Sequence, residues 1–346
     1  MRILIDAMGG DNAPGEIVRG AVQAARELNV DVTLVGQEEK LLPILKECGV
    51  SAPDDHISVV NASQVIEMED DPSTATRQKK DSSMTVALTM LHKGEGDAVI
   101  SAGSTGALLS GATLFVRRIR GVRRACFGPV FPNGGRGTVL LDSGANDECT
   151  PEYLLQFAYI GSFYSKELLG VPNPRVGLLN IGTEETKGTA LQKETYALLT
   201  EAREAGRLNF IGNVEARDVM SGVVDVLVTD GFTGNVLLKT VEGTARAMMK
   251  ELKNAFYKSP LNKLAAAVLK KDVYKIKDML DPNEQGATPL LGISRPVLKA
   301  HGSANARAIY NSVRRAQEFI DSGLIESIEN NIEYMRITAD KTEKGE

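Results

Sequence analysis

Five short stretches concentrate the residue types able to hold an anion: "DAMGGDNAPG" (6–15), "SAGSTGAL" (101–108), "DSGAN" (142–146), "NIGTEETKG" (180–188) and "TDGFTGN" (229–235). Glycines let a backbone approach a ligand closely, and a following helix N-terminus offers unpaired N–H groups and a positive dipole end. Taken alone, each stretch is an ordinary turn. Five of them, each after an apolar β-rich run, point to a shared anion site. Its candidates are Gly9, Gly10, Asn12, Gly103, Ser104, Thr105, Gly106, Asn146, Gly231 and Gly234. Lys187 adds positive charge from a Gly-bounded loop, where it can bind an anion or neutralise an oxyanion. Asn235 can donate its amide to an oxyanion from the mouth of a helix expected over 234–258, or simply cap that helix. His301, in "KAHGSAN", can protonate a leaving group, contact the anion, or stand as a satisfied structural histidine. Asp6, Asp11, Asp142 and Asp230 repel an anion. They are read as acceptors of backbone N–H groups that fix tight loops, with Asp230 also able to orient Lys187.

These loops need a scaffold, and the pattern around them supplies one. Apolar runs at 2–7, 31–36, 56–62, 97–103, 137–142, 175–182, 208–213 and 225–231 read as strands, several of them rich in Val and Ile along their whole length. Amphipathic helices over 15–28, 84–93, 105–117, 150–167 and 189–203 fall between them. Such alternation implies a largely parallel sheet with helices on both sides, and so places all five loops on one edge. With no repeat or Pro/Gly/Ser-rich linker, the chain reads as a single catalytic α/β unit spanning 1–346, and the polar tail "DKTEKGE" is expected to fray.

Two segments do not belong to that scaffold. Over 254–281, Leu261, Leu264, Val268 and Leu269 recur at helical spacing beside Lys263, Lys270 and Lys271. With the helix before it, this predicts a protruding helical hairpin inserted at about 240–282. It is either a core-packed helix with a solvated Lys face or a tip that docks on an anionic membrane or a partner. The stretch "FVRRIRGVRRAC" carries Arg117, Arg118, Arg120, Arg123 and Arg124. These form a solvated face, or a site for an acidic partner or a phosphate-bearing ligand.

Several chemistries are excluded. No stretch fits G-x-G-x-x-G, G-x-x-x-x-G-K-[ST] or G-x-S-x-G, so a dinucleotide fingerprint, a P-loop and a serine elbow are absent. Three histidines weigh against a His base or a His-rich metal site. Cys48, Cys126 and Cys149 form no C-x-x-C pair and read as small hydrophobes. A formal net charge of -5 argues against nucleic acid binding. There is no apolar run of bilayer length, and "MRILID" runs straight into a strand rather than a signal peptide. A cytoplasmic location is therefore expected.

In order and spacing, "DAMGGDNAP", "SAGSTGAL", "NIGTEETKG", "IGNVEARD", "TDGFTGN" and "KAHGS" closely resemble the bacterial acyl-carrier-protein:phosphate acyltransferases of phospholipid synthesis, from residue 1 to about 325. The family commonly has His in place of Asn12 and Asn in place of Ser104. The first departure takes a possible acid or base from that position. The resemblance implies attack of inorganic phosphate on a long-chain acyl-carrier-protein thioester, giving acyl phosphate. A membrane acyltransferase would then use this to acylate glycerol 3-phosphate. It also implies a homodimer, a three-layer α/β/α fold like the isocitrate and isopropylmalate dehydrogenases, and peripheral attachment to the inner face of the membrane. No cofactor or metal is implied. Lys187 and Asn235 match positions this family is thought to use in catalysis. Rival readings are a phosphotransacylase using acyl-coenzyme A, a decarboxylating dehydrogenase of related fold, and a non-catalytic membrane-bound scaffold of lipid synthesis.

Overall fold

A computed structural model describes residues 1–51 and 56–335; the tail expected to fray lies outside them. The first half carries strands β1 (Arg2–Asp6), β2 (Asp31–Gly36), β3 (Ile57–Asn61), β4 (Ala98–Ser101), β5 (Cys126–Phe127), β6 (Val130–Phe131) and β7 (Thr138–Leu141). The second half adds β8 (Arg175–Asn180), β9 (Asn209–Glu215), β10 (Val226–Val228), β11 (Thr288–Leu291) and β12 (Val297–Lys299). The α-helices of the first half are α1 (Gly15–Leu28), α2 (Glu38–Glu47), α3 (Ala75–Gln78), α4 (Ser83–Lys93), α5 (Thr105–Gly111) and α6 (Pro151–Glu167). After them come α7 (Ala190–Glu204), α8 (Gly231–Tyr257), α9 (Pro260–Leu280), α10 (Pro282–Gln285), α11 (Ala306–Asp321) and α12 (Leu324–Asn330).

The βα alternation gives an α/β fold whose strands pair mostly in parallel, but in two sheets where the sequence suggested one. The first runs β3-β2-β1-β4-β12-β11-β5 and the second β6-β7-β10-β8-β9. Among the strands of the described residues, the antiparallel pairs are β12–β11, β11–β5 and β6–β7. These pairs lie where the sheets approach each other. Residues 126–131 join them: Cys126 and Phe127 pair with β11, and Val130 and Phe131 pair with β7.

Each sheet is covered on both faces, which explains why β1, β4 and β7 are buried almost end to end. On the first sheet, α1, α2 and α11 bury Val18, Leu41 and Val313 on one face, while α4 and α5 bury Leu88 and Leu108 on the other. On the second sheet, α6 and α7 bury Phe157, Tyr164 and Leu199. Its opposite face is closed by Leu237, Leu238 and Val241 from the first turns of α8.

Beyond those turns, α8 and α9 form the hairpin. Leu261 (78% exposed), Leu264 (66%), Val268 (78%) and Leu269 (45%) lie open, as do Lys263, Lys270 and Lys271. A core-packed helix is therefore not what this chain builds there. Among the described residues, no helix is long and apolar enough to cross a membrane.

Candidate active site

The five Gly-rich loops divide between the sheets, two following β1 and β4, and three following β7, β8 and β10. Three of them, 101–108, 142–146 and 229–235, converge with residues 299–302 at the end of β12 on one cleft of about 430 Å³ between the sheets. Thr105, Ser143, Gly144, Asn235, Lys239, Lys299 and His301 line it, facing an apolar wall that includes Phe127, Val130 and Phe131.

Buried carboxylates organise the loops behind the cleft. Asp142 accepts from the backbone N–H groups of Phe127 (2.9 Å), Ser143 (2.7 Å), Ala145 (3.0 Å) and Asn146 (2.8 Å), and from the Asn146 amide (2.9 Å). Asp6 accepts from Ser101 Oγ (2.6 Å) and the Met8 N–H (3.3 Å). Burial raises both carboxyls above the usual range, and these hydrogen bonds oppose it. Asp230 caps α8 by accepting from Thr233 N–H and Oγ1, both at 2.8 Å. It is thus a loop organiser; its partners are threonines, and Lys187 is not among them.

This cap settles the position of Asn235. The helix starts at Gly231, three residues earlier than the sequence suggested, so Asn235 lies inside it and is not its cap. Its side chain is exposed at the cleft beside Gly144, where an added Cβ would stand 3.5 Å from Asn235 Cγ. Gly144 has φ +129°, a conformation that suits glycine and brings the 142–146 loop against that amide. At Gly234 an added Cβ would overlap the Asp142 carbonyl, so α8 docks on the loop through a bare backbone.

The remaining predicted residues form the packing behind the site. Gly9 sits against Asp6 and Gly103, Gly10 against Gly302, Gly106 against Pro72, and Gly231 against the Asn146 carbonyl. Ser104 caps α5. The Asn12 amide donates to the carbonyls of Ser303 (3.1 Å) and Ala304 (3.2 Å), tying the first loop to the one after β12. Lys187 lies elsewhere. It is exposed on the loop after β8, a neighbour of β10, and does not line the cleft.

Two cleft cations escaped the sequence reading. Lys299 donates to the carbonyls of Ala102 (3.2 Å) and Ala300, and burial lowers its pKa to about 8. It belongs to the "KAHGS" stretch, whose histidine drew the attention. Lys239 stands one helical turn after Asn235, an i,i+4 spacing visible in the sequence, and pairs with Glu242 at 2.8 Å. His301 Nδ1 accepts the Ser303 N–H (3.2 Å), which leaves the proton of the neutral ring on Nε2. Burial, then the Lys239 charge, lowers its pKa, so the neutral form holds near neutrality. The cleft therefore presents the Lys299 ammonium, the Lys239 ammonium paired with the Glu242 carboxylate that also lines it, an imidazole N–H and a carboxamide to an anion.

Residues 1–327 match the family model described as fatty acid synthesis protein. A phosphate acyltransferase from Geobacillus sp. strain WCH70 is 47% identical over 335 residues, covering 96% of this chain and 99% of that protein. One from Desulfitobacterium hafniense is 46% identical over 340 residues, covering 98% and 99%. The chain belongs to the phosphate acyltransferase family. It is accordingly an acyl-group transferase of fatty acid and phospholipid synthesis. The fold extends further. A Streptococcus pyogenes phosphotransacetylase superposes with a TM-score of 0.64 at 15% identity, covering 94% of each chain. A Salmonella typhimurium 4-hydroxythreonine-4-phosphate dehydrogenase gives 0.53 at 13% identity, covering 92% and 99%.

Proposed function

We propose that the enzyme moves a long-chain acyl group from the thioester of acyl-carrier protein to inorganic phosphate, giving acyl phosphate and free carrier thiol. The observation that carries this reading is the meeting of Lys299, Lys239, the His301 Nε2–H and the Asn235 amide in one cleft beside an apolar wall. Phosphate is partly dianionic near neutrality and needs no dedicated base. The two ammonium groups and the imidazole N–H hold it, with His301 acting as a neutral donor. One phosphate oxygen attacks the thioester carbonyl. The oxyanion that forms accepts the Asn235 N–H, and its collapse expels the carrier thiolate. The apolar wall at Phe127, Val130 and Phe131 suits the start of an acyl chain.

Lys187 remains a proposed further catalytic cation, in addition to Lys299 and Lys239. Its ammonium has no ion-pair partner among the described residues, and its loop follows a strand beside β10. The two sheets act as one catalytic unit, from which α8 and α9 project to an anionic membrane surface as a peripheral contact. The functional form is a homodimer, and the product passes to a membrane acyltransferase that acts on glycerol 3-phosphate.

Purified enzyme is incubated with phosphate and either palmitoyl-carrier protein or palmitoyl-coenzyme A, and acyl phosphate is trapped with hydroxylamine. Product from the carrier thioester is expected; no product from either donor overturns the reading. Lys187→Ala is expected to lower turnover by about tenfold or more with the fold intact. Near-normal turnover removes Lys187 from the mechanism.

A further inference from the structure

A second concavity, of about 650 Å³, opens behind the cleft, and arginines dominate its charged lining. Arg77, Arg117, Arg118 and Arg124 line it, with Glu148 as the one carboxylate. Among the described residues, none of these four guanidinium groups forms an ion pair; Arg124 lies over the Tyr153 ring at 5.3 Å. Surface arginines in a chain with net charge -5 have many carboxylates to choose from. Four gathered without such a partner make a concentrated positive field that favours an anionic ligand.

The backbone beneath them is shaped for this. After α5 the chain makes a π-helical turn over Ala112–Val116, with the Arg117 N–H bonded to the Ala112 carbonyl (2.9 Å). Arg117 follows with φ +73°, a conformation that L side chains rarely adopt. The Ser294 N–H holds the Arg117 carbonyl (2.9 Å), and Ser294 Oγ holds that of Val116 (2.8 Å). The neighbouring strand region thus keeps the strained turn in place, and strain kept in this way gathers at functional sites.

Its position relative to the cleft is the second observation. Asn146 lines the concavity and Gly144, two residues earlier, lines the cleft. Thr105 lines the cleft and Leu109, one turn along α5, lines the concavity. Two extended residues span at most about 7 Å, and four helical residues rise about 6 Å. The wall of the concavity at Asn146 and Leu109 therefore stands one loop's thickness from the cleft, within reach of a flexible arm anchored outside.

We infer that this arginine concavity docks the acidic carrier protein of the acyl donor, so that its thioester-bearing arm passes over the 142–146 loop into the cleft. The inference rests on the carrier-dependent reaction proposed above. It predicts that the arginines govern donor KM and leave the chemical step alone.

Kinetics of Arg77→Glu/Arg117→Glu, and of the milder Arg77→Gln/Arg117→Gln, test it with three donors: palmitoyl-carrier protein, palmitoyl-coenzyme A and a palmitoyl thioester of N-acetylcysteamine. Thermal melting checks the fold. The charge reversal is expected to raise KM for the carrier thioester by about tenfold or more, with kcat and the N-acetylcysteamine reaction unchanged and the Gln pair intermediate. Arg120→Glu, on the same segment but outside the concavity, is expected to match wild type. An unchanged carrier KM overturns the inference. Equal loss with palmitoyl-coenzyme A also overturns it, because the arginines would then be reading the arm's phosphate and not the carrier's surface. If wild type itself makes no acyl phosphate from the carrier thioester, the proposed function has failed. If wild type does and the variants match it, only the docking has.

Discussion

At Lys299, burial has lowered the pKa from 10.5 to about 8. The folded value lies below the unfolded one, so between about 8 and 10.5 the unfolded chain binds more protons. Over that window, stability gains from this group as pH rises. Phosphate affinity has the opposite slope, because the ammonium is what holds the anion. KM for phosphate is expected to rise as pH climbs through about 8. Lys299→Met is expected to raise KM about tenfold or more and to flatten that limb, as loss of one charge-assisted hydrogen bond should. A pH profile of phosphate KM in both proteins checks this. Asn235→Ala removes the oxyanion donor and is expected to lower kcat about a hundredfold, roughly 3 kcal/mol of barrier, with little change in phosphate KM. If the loss falls on KM instead, Asn235 binds phosphate and does not stabilise the oxyanion.

Among the elements, α8 contributes most to the site: its cap, its first turn and its face each have a separate task. Gly234→Ala would ordinarily stabilise a helix by about 1 kcal/mol. Here the added methyl meets the Asp142 carbonyl, so a net loss of about 1–3 kcal/mol is expected by thermal or denaturant unfolding. The runs that build β1, β4, β7, β8 and β10 were legible as near-continuous apolar segments of Val, Ile and Leu, and so were the Gly-rich loops that follow them. Strands β5, β6, β11 and β12 were not. They are two to four residues long; β11 contains Pro289, and Gly128 and Pro129 separate β5 from β6. Nothing periodic marks such strands, and only their partners define them. Yet they divide the sheet in two and deliver Lys299 to the cleft. This is why one edge was expected where two meet, and why that lysine was passed over. Lys187 was singled out by its Gly-bounded loop after a strand and by the family resemblance, and neither says which way that loop leaves its strand.

At the scale of the whole molecule, the hairpin leaves apolar residues uncovered, including Leu261, Leu264, Val268, Met248 (67% exposed) and Tyr257 (65%). A single chain in water rarely leaves so many together. Leu264→Glu with Val268→Glu is expected to abolish sedimentation with anionic vesicles and to spare turnover on dissolved donor. Unchanged sedimentation would assign this surface to protein contact. Analytical ultracentrifugation at catalytic concentrations is expected to give twice the chain mass. The segment 126–131 has a consequence on the same scale. Its Phe127 N–H is held by Asp142, its Gly128 N–H by the Pro289 carbonyl at 3.4 Å, and its Pro129 carbonyl by the Leu140 N–H at 3.0 Å. The two sheets are stitched through one continuous segment carrying β5 and β6, so the separation of Thr105 from Asn235 is a property of the hydrogen-bonded core. The entropy of aligning anion and oxyanion donor is thus given up when the chain folds, and not each time a substrate arrives.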